Sequence, residues 1–244
     1  MKECFVIMVV RYDRFMYHKF FVKKIFNIEN MRKKQIFLLT IVSVILNLGV
    51  VSCDFKYDPY NDHEYVDLGL PSGLKWATCN VGASYPEDLG DYYAWGETST
   101  KNSYVRTTYK WRNFSDGEMT KYSIDLDDKR ILDDADDIVS VKMGGRWRLP
   151  TRTEQDELRD FCRWEWIGGG YKVIGPNGNF IFLPAAGAVD GSDRHDVGVC
   201  GHYWSSSLYP MDSESSYYLG FNPEKVACFH SNRFVGRSVR GVCK

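Results

Sequence analysis

Histidine is scarce in this sequence, with five residues among 244. Three of them, His195, His202 and His230, have no partner spacing typical of a catalytic triad or a zinc site. The chain also lacks a Gly-x-Ser-x-Gly elbow, a glycine-rich loop with a phosphate-binding lysine, and an Asp-x-Asp-x-Asp-Gly calcium loop. These absences exclude the hydrolases, nucleotide-binding proteins and calcium proteins that depend on such local motifs.

Basic charge is concentrated at the N-terminus and is deficient elsewhere. Residues 1–53 carry nine Lys/Arg against three Asp/Glu, which leaves 22 basic against 29 acidic residues in 54–244. An acidic body of this kind offers no basic stripe to neutralise phosphates, which argues against a nucleic acid partner. The basic head is expected to be separate from the folded body.

Residues 31–53 have the organisation of a secretory signal. Met31 is followed by three basic residues, then by an apolar run over 36–52, and then by Cys53. The end of this segment resembles a bacterial lipobox, in which Cys53 is acylated and becomes the mature N-terminus. An uncleaved anchor is the alternative, although the run is short for the roughly 20 residues that span a bilayer. We therefore expect an outer-membrane lipoprotein of the cell envelope, attached to the membrane by its lipid.

The flanking segments complete the predicted domain organisation. Residues 1–30 are interpreted as an over-called N-terminal extension, with an amphipathic membrane-surface segment as the alternative. Residues 54–63 are interpreted as a polar tether, and residues 64–244 as one domain. The aspartates of the tether resemble the export signal of surface lipoproteins in Bacteroidota, but a solvated linker has nearly the same composition.

Two helices are predicted in the body. Thr151 with Glu154 forms a capping box, after which Leu158, Phe161 and Cys162 fall on one helical face and Gln155 falls on the polar remainder. A second helix is expected within 133–144, capped by Asp133 or Asp134 and ended by two glycines.

Short runs of strand character, separated by turn residues, occupy much of the remaining body. Hairpins are predicted around the Pro-Ser-Gly turn at 71–73 and the Pro-Asn-Gly-Asn turn at 176–179. Residues 98–130 show no clear period and are interpreted as a surface excursion. The expected fold class is α+β, with short antiparallel strands, two helices and long loops.

Six motifs follow one another along the body. They are EYVDLGLPSGLKWATCNVGA, YYAWGET, WRLPT-x-x-E-x-x-x-L, GPNGNFIFLPAAG, YWSSS and GRSVRGV. Their order resembles that of the Fibrobacter succinogenes major paralogous domain, a family common in secreted proteins and lipoproteins of Bacteroidota and Fibrobacterota. The resemblance covers about residues 64–243.

The stretch RLPTRTEQDEL resembles an element of the formylglycine-generating enzymes, which have a variant of the C-type-lectin fold. The resemblance implies a strand leading into a helix, with Trp147 and Leu149 in the core. The two arginines, Arg146 and Arg148, would then point away from the core and seek carboxylates or carbonyls.

The same resemblance implies a copper site made by two cysteines near the C-terminus. Cys228 is present, but the second position falls in Ser231–Arg233 and Cys243 comes too late to match. Because Cu(I) requires paired thiolates, oxidase chemistry is not expected. No cofactor and no metal site are predicted. Disulfides among the cysteines beyond Cys53 are possible in an exported protein, but no pairing is assigned.

Carboxylates are abundant, but their pattern does not define a site. The acidic run over 125–137 is interpreted as a solvated helix flank rather than a calcium site. Asp67, Asp91, Glu97 and Glu154 could supply a glycosidase pair, but no feature of the sequence sets the separation between them.

The predicted function is that of a surface-anchored, non-catalytic binding module for a glycan or an envelope protein. Aromatic faces suit both kinds of ligand. The alternative is an enzyme acting on envelope or dietary polymers. The candidate ligand-binding residues are Tyr92, Tyr93, Tyr104, Tyr109, Tyr217 and Tyr218.

Overall fold

The computed structural model of the protein describes residues 56–58 and 63–244. The predicted N-terminal extension, the signal segment and Cys53 lie outside these residues. Among the described helices, none has the length and apolar character needed to cross a membrane.

The first sheet joins the two ends of the body. Its strands are β1 (Lys56–Asp58), β2 (His63–Asp67), β3 (Lys75–Ala77) and β12 (Val242–Cys243). They are antiparallel, in the order β1-β2-β3-β12, and Val66 and Trp76 place their side chains in the core beneath the sheet. A turn in which Gly73 donates to the Leu70 carbonyl links β2 to β3, as predicted.

Part of the segment interpreted as a tether is therefore a strand. Lys56 pairs with Tyr65 and Asp58 with His63, so these residues continue the sheet instead of leading freely away from it. Without β1, the outer edge of β2 would leave backbone N–H and C=O groups unpaired. Pairing with β1 satisfies these groups through the backbone alone, so a polar sequence can form this strand.

Two further three-stranded sheets form the rest of the scaffold. The second has the order β4-β5-β6 and contains the predicted hairpin around Gly178. Its strands are β4 (Arg163–Trp166), β5 (Gly170–Ile174) and β6 (Phe180–Pro184). After it comes a short hairpin of β7 (Ala188–Asp190) and β8 (Asp193–His195). The third sheet has the order β11-β10-β9, with β9 (Gly201–Leu208), β10 (Ser215–Asn222) and β11 (Lys225–Asn232).

Both predicted helices are present, with a correction to the cap of the first. Helix α1 (Ile138–Met143) ends at Gly144 as expected, but its N-cap is Asp137, which accepts from the backbone of Val139 and Ser140. Asp137 also accepts from Leu149 N at 2.7 Å, a long-range bond that favours it over Asp133 or Asp134.

Helix α2 (Arg152–Phe161) has the predicted capping box of Thr151 and Glu154. It packs on the third sheet, with Leu158 fully buried. Two side chains lie opposite to expectation: Gln155 is buried and donates to the carbonyls of Tyr203 and Trp204, while Phe161 is 55% exposed. The third sheet decides which face of the helix is buried, because the carbonyls of Tyr203 and Trp204 accept from Gln155 there.

The segment before α2 is architectural, as the resemblance implied. Trp147 and Leu149 are buried, and Arg148 forms a salt bridge with Glu154 at 2.6 Å, while Arg146 is exposed. The backbone makes one bridge to β12 rather than a full strand.

Residues 98–130 are more than a surface excursion. They contain a 3-10 turn at Arg106–Thr108, and they place Tyr104, Tyr109 and Tyr122 in the core. Small antiparallel sheets and two helices thus make up the described body, which confirms the α+β class.

Candidate functional site

Four of the six candidate tyrosines are core residues. Tyr92, Tyr93, Tyr104 and Tyr109 are each no more than 5% exposed, and burial raises the pKa of every one of their hydroxyls. Their rings are not available to a ligand, so the prediction needs correction at these positions. The sequence cannot distinguish an exposed tyrosine from a buried one whose hydroxyl finds a partner.

Three of these hydroxyls donate to backbone carbonyls 12 or more residues away, and the Tyr93 hydroxyl donates to the Asp91 carboxylate. Tyr92 donates to the Ala186 carbonyl at 2.6 Å, Tyr109 donates to the Trp95 carbonyl at 2.7 Å, and Tyr104 donates to the Tyr92 carbonyl. We call Tyr92, Tyr93, Tyr104 and Tyr109 the tyrosine interior. Its hydrogen bonds join loops that no regular strand connects.

The other two candidates, Tyr217 and Tyr218, remain partly exposed on β10. Neighbouring residues on a strand point to opposite sides of the sheet. One small ligand therefore does not contact both rings, and the third sheet has two separate aromatic faces.

The first of these, the Tyr217 face, consists of Tyr209, Tyr217 and His230. Tyr209 and His230 stack with ring centroids 3.8 Å apart and planes 2° apart, and Tyr217 meets Tyr209 edge-on at 5.3 Å. The Arg152 guanidinium, at the start of α2, lies 4.7 Å from the centroid of the Tyr217 ring. His230 is exposed and the two tyrosines are partly exposed, so this face combines ring surface with polar groups at the protein surface.

The second, the Tyr218 face, consists of His202, Tyr218 and Phe229. Phe229 stacks on Tyr218 at 5.7 Å, and His202 lies 5.4 Å from Tyr218 between ring centroids. Beneath them, the buried Arg237 guanidinium lies 3.7 Å from the centroid of Tyr218 and 4.9 Å from that of Trp204. Cation–π contact of this kind stabilises a desolvated guanidinium by about 2 kcal/mol.

Arg237 differs from the two other buried arginines near the C-terminus. Arg233 and Arg240 donate to backbone carbonyls and to polar side chains through several nitrogens. Arg237 leaves Nε without a hydrogen-bond partner, and burial lowers its pKa to about 10. It remains charged at neutral pH and places a cation under the Tyr218 face.

Beside this face, the fold brings Asp196, Cys200 and His202 together. One ligand atom from each lies within 4.8 Å of the others. Burial, together with the Arg237 charge, lowers the pKa of His202 to about 4, so its imidazole is neutral at neutral pH. Burial and the nearby Asp196 raise the pKa of Cys200.

Sequence reasoning missed this group, although a local signal was present. Cys200 directly precedes β9 and His202 is its second residue, and residues two apart along extended chain share a side. Asp196 lies four residues earlier, and its carbonyl accepts from Cys200 N at 2.9 Å. A Cys-x-His pair at the start of a strand, preceded by a turn with an aspartate, is the pattern that would have indicated it.

The carboxylates considered as a catalytic pair each have a structural partner. Glu97 pairs with Lys101 at 2.8 Å, and Glu154 with Arg148. Asp91 accepts from the Tyr93 hydroxyl at 3.0 Å, and Asp67 accepts from Gly69 N at 2.9 Å. These contacts account for all four without a reaction centre.

The acidic run over 125–137 is partly exposed, but its last two aspartates are engaged in structure. Asp136 and Asp137 are buried, and Asp136 accepts from Lys121 and the Tyr122 hydroxyl. Burial opposes ionisation of Asp136, but the hydrogen bonds from Lys121 and Tyr122 outweigh it and lower the pKa. The helix-flank interpretation therefore needs correction at these two residues, because they anchor the loop to the core.

A groove of about 450 Å³ lies at another part of the surface, between β2, β3 and the end of α1. Its lining is mostly polar or small, and includes Glu64, Thr78, Cys79, Asn80 and Lys142. It is not the shallow aromatic groove expected of a carbohydrate-binding module. The Tyr217 and Tyr218 faces lie instead on the third sheet.

The two cysteines nearest the C-terminus lie on different sheets. Cys228 lies on β11 of the third sheet, and Cys243 lies on β12 of the first sheet. Cys79, Cys162, Cys200 and Cys228 are free thiols.

The fold and these surfaces define the protein as an α+β body of small antiparallel sheets with an aromatic patch on each side of one hairpin. In comparisons with known proteins, no family model, no curated protein and no solved structure matches the chain.

Proposed function

We propose that the protein is a lipid-anchored, non-catalytic binding module of the bacterial cell envelope, and that it binds its ligand at the Tyr217 face. The observation that carries this proposal is the stacked pair of Tyr209 and His230 beside Tyr217, held at the surface by a regular hairpin. Rings fixed in this way lose little conformational entropy when a ligand covers them.

A glycan fits this face better than a flat apolar ligand, and an envelope protein is the second class of ligand. Sugar rings present C–H groups to aromatic faces and hydroxyls to polar neighbours. Tyr209, Tyr217 and His230 supply ring faces, and Arg152, with 43% of its side chain exposed, supplies donors at the rim. Protein interfaces are likewise enriched in tyrosine and arginine.

The structural partners of Asp67, Asp91, Glu97 and Glu154 support a binding role over hydrolysis. A glycosidase needs two carboxyl groups facing one bond, roughly 5–10 Å apart, one of them kept protonated by its surroundings. These four are instead occupied by cations, hydroxyls and backbone donors.

The more specific fold proposal is a C-type-lectin-like scaffold, as in formylglycine-generating enzymes, carrying a Fibrobacter succinogenes major paralogous domain. Support comes from the order of the motifs and from the Trp147–Leu149 segment leading into α2. Fold analogy by itself is a weak warrant for function, so the ligand proposal depends on the Tyr217 face.

The anchor proposal places the protein in the outer membrane of a Bacteroidota-type cell through the lipid on Cys53. Metabolic labelling with palmitate in such a host should label the wild-type chain and leave a Cys53→Ala variant unlabelled. Equal labelling of the two would contradict the anchor and would leave the ligand proposal intact.

The ligand proposal is tested by probing the purified full chain on an array of bacterial and dietary glycans. We expect binding without release of new reducing ends, and a loss of at least about tenfold in Tyr217→Ala and His230→Ala. Phe229→Ala is the matched control, since Phe229 lies next to His230 on β11 but belongs to the opposite face. Equal loss in the control, or product formation, would contradict the proposal.

A further inference from the structure

We propose that Asp196, Cys200 and His202 form a binding site for one Zn²⁺ ion. The inference goes beyond the proposed glycan role and does not depend on it, because His202 belongs to the Tyr218 face and none of the three residues belongs to the Tyr217 face. It follows from the convergence of a carboxylate, a thiol and an imidazole whose ligand atoms all lie within 4.8 Å of one another.

The spacing suits a tetrahedral ion after small side-chain movements. Zinc binds sulfur at about 2.3 Å, and nitrogen and oxygen at about 2.0–2.2 Å, which places ligand atoms on the order of 3.5 Å apart. Starting from at most 4.8 Å, rotation of the exposed Asp196 side chain can close most of the difference.

The backbone holds the three residues in place before any ion binds. The Asp196 carbonyl accepts from the amides of Val199 and Cys200, at 3.0 and 2.9 Å. The Cys200 carbonyl in turn accepts from Gly187 N at 2.7 Å, which ties the loop to the start of the β7–β8 hairpin. Gly187 is required at this contact, since a Cβ there would lie 1.9 Å from the His195 carbonyl oxygen.

His202 supplies an independent observation that points to a ligand. Its Nδ1 is buried and has no hydrogen-bond partner. A buried polar nitrogen without a partner destabilises the fold, because it has lost its hydrogen bonds to water. Metal coordination satisfies this nitrogen, either by binding at Nδ1 or, when the ion binds Nε2, by orienting the ring so that the Nδ1 N–H donates to an acceptor.

The donor set selects the kind of ion. Calcium and magnesium require mainly oxygen ligands, whereas a thiolate with an imidazole favours zinc and related transition metals. Three protein ligands leave a fourth position to water or to an external ligand, as in open zinc sites.

Charge is balanced at this site despite the Arg237 cation beneath Tyr218. The Cys200 thiolate and the Asp196 carboxylate together neutralise a divalent ion. The guanidinium faces the Tyr218 and Trp204 rings, at 3.7 and 4.9 Å from their centroids. Its charge is therefore partly offset by the ring faces.

A nucleophilic Cys–His pair explains the group less well. Nucleophilic cysteines are found where their surroundings stabilise the thiolate. Here burial and Asp196 act in the opposite direction and raise the pKa of Cys200. A divalent ion reverses that effect, because coordination deprotonates the thiol.

Metal content of the purified full chain tests the proposal directly. After removal of metal with a chelator and reloading with Zn²⁺, we expect one ion per chain, and the Co²⁺-loaded chain should show thiolate-to-cobalt absorption in the near ultraviolet. Cys200→Ser should abolish this absorption, and Cys200→Ser and His202→Ala should each lower Zn²⁺ affinity by at least about 100-fold.

Cys228→Ser provides the matched control, because Cys228-Phe229-His230 has the same spacing as Cys200-Gly201-His202, but among the described residues no aspartate converges on both Cys228 and His230. His195→Ala controls for the histidine next to Asp196. Both controls should retain one Zn²⁺ per chain, and circular dichroism should show that every variant is folded. Substoichiometric Zn²⁺ in the wild-type chain, or unchanged affinity in a folded Cys200→Ser/His202→Ala double variant, would overturn the proposal.

Discussion

The tyrosine interior and the Tyr217 face use the same side chain for opposite purposes. In the interior, Tyr92 and Tyr109 bury their rings and donate to carbonyls of residues well separated in sequence, which fastens loops to the core. On the hairpin, the regular pairing of β10 with β11 already holds the backbone, so Tyr217 can leave its ring at the surface. Where regular strands are lacking, tyrosine hydroxyls hold loops together by hydrogen bonds to backbone carbonyls. Where strand pairing already holds the backbone, a tyrosine ring can remain at the surface and contact a ligand.

The largest expected effect comes from truncating one tyrosine of each kind. Tyr109→Ala should lower the free energy of unfolding by about 3–5 kcal/mol, because it opens a cavity and removes a partner of the buried Arg233. Tyr217→Ala should cost less than about 1 kcal/mol, since its ring is partly exposed. Urea unfolding measures both free energies. Similar losses of stability in the two variants would contradict the distinction between buried structural tyrosines and the partly exposed Tyr217.

Removing only the hydroxyl should give a smaller difference in stability between the two positions, but one that isolates the hydrogen bonds from the packing of the ring. Tyr109→Phe keeps the ring but leaves the Trp95 carbonyl without its donor and Arg233 Nε without its acceptor, so it should cost about 1–3 kcal/mol. Tyr217→Phe should leave the unfolding midpoint within error, because the Tyr217 hydroxyl can be hydrated. A neutral Tyr109→Phe would show that these bonds do not fasten the interior.

Helix α2 supports the third sheet, and its cap can be weakened without touching either aromatic face. Thr151→Ala removes the acceptor for Glu154 N and should lower the free energy of unfolding by about 1 kcal/mol. Thr151→Ser is the control and should retain most of the stability, because serine also supplies a capping hydroxyl. If Thr151→Ala instead abolished ligand binding in folded protein, the Tyr217 face would depend on the helix more closely than proposed.

The smallest effect concerns the acid stability of the loop that precedes α1, around Asp133. Hydrogen bonds from Lys121 and Lys129 lower the pKa of Asp133 to about 2. A depressed carboxylate pKa stabilises the fold above the unfolded value, near 3.9, and this contribution is lost as the pH falls towards 2. Asp133 is 38% exposed, so solvent screening should keep the contribution below about 1 kcal/mol.

The check is a pair of unfolding series at several pH values. Wild type and Asp133→Asn should differ by a constant amount above pH 5 and converge between pH 4 and pH 2. A difference that grew as the pH fell would have the wrong sign for this carboxylate.

Local sequence patterns predicted the helices and hairpins, whereas contacts between residues far apart in the sequence determined which tyrosines are buried. Thr151 and Glu154 define the start of α2 within four residues, and the glycine turn at 178 defines a hairpin, so both were predictable. The burial of Tyr92 depends on Ala186, 94 residues away, and no local pattern contains that information. Gln155 was predicted on the polar face of α2 because its partners, the carbonyls of residues 203 and 204, belong to the third sheet, about 48 residues later in the chain.

Nitration of tyrosines in the folded full chain, mapped by mass spectrometry with and without a glycan found on the array, tests the central claim most directly. We expect Tyr217 to react and to become protected when glycan is present, while Tyr92, Tyr93, Tyr104 and Tyr109 stay unmodified in both conditions. Reaction of the interior tyrosines at the rate of Tyr217, or glycan binding that leaves Tyr217 fully reactive, would contradict the account.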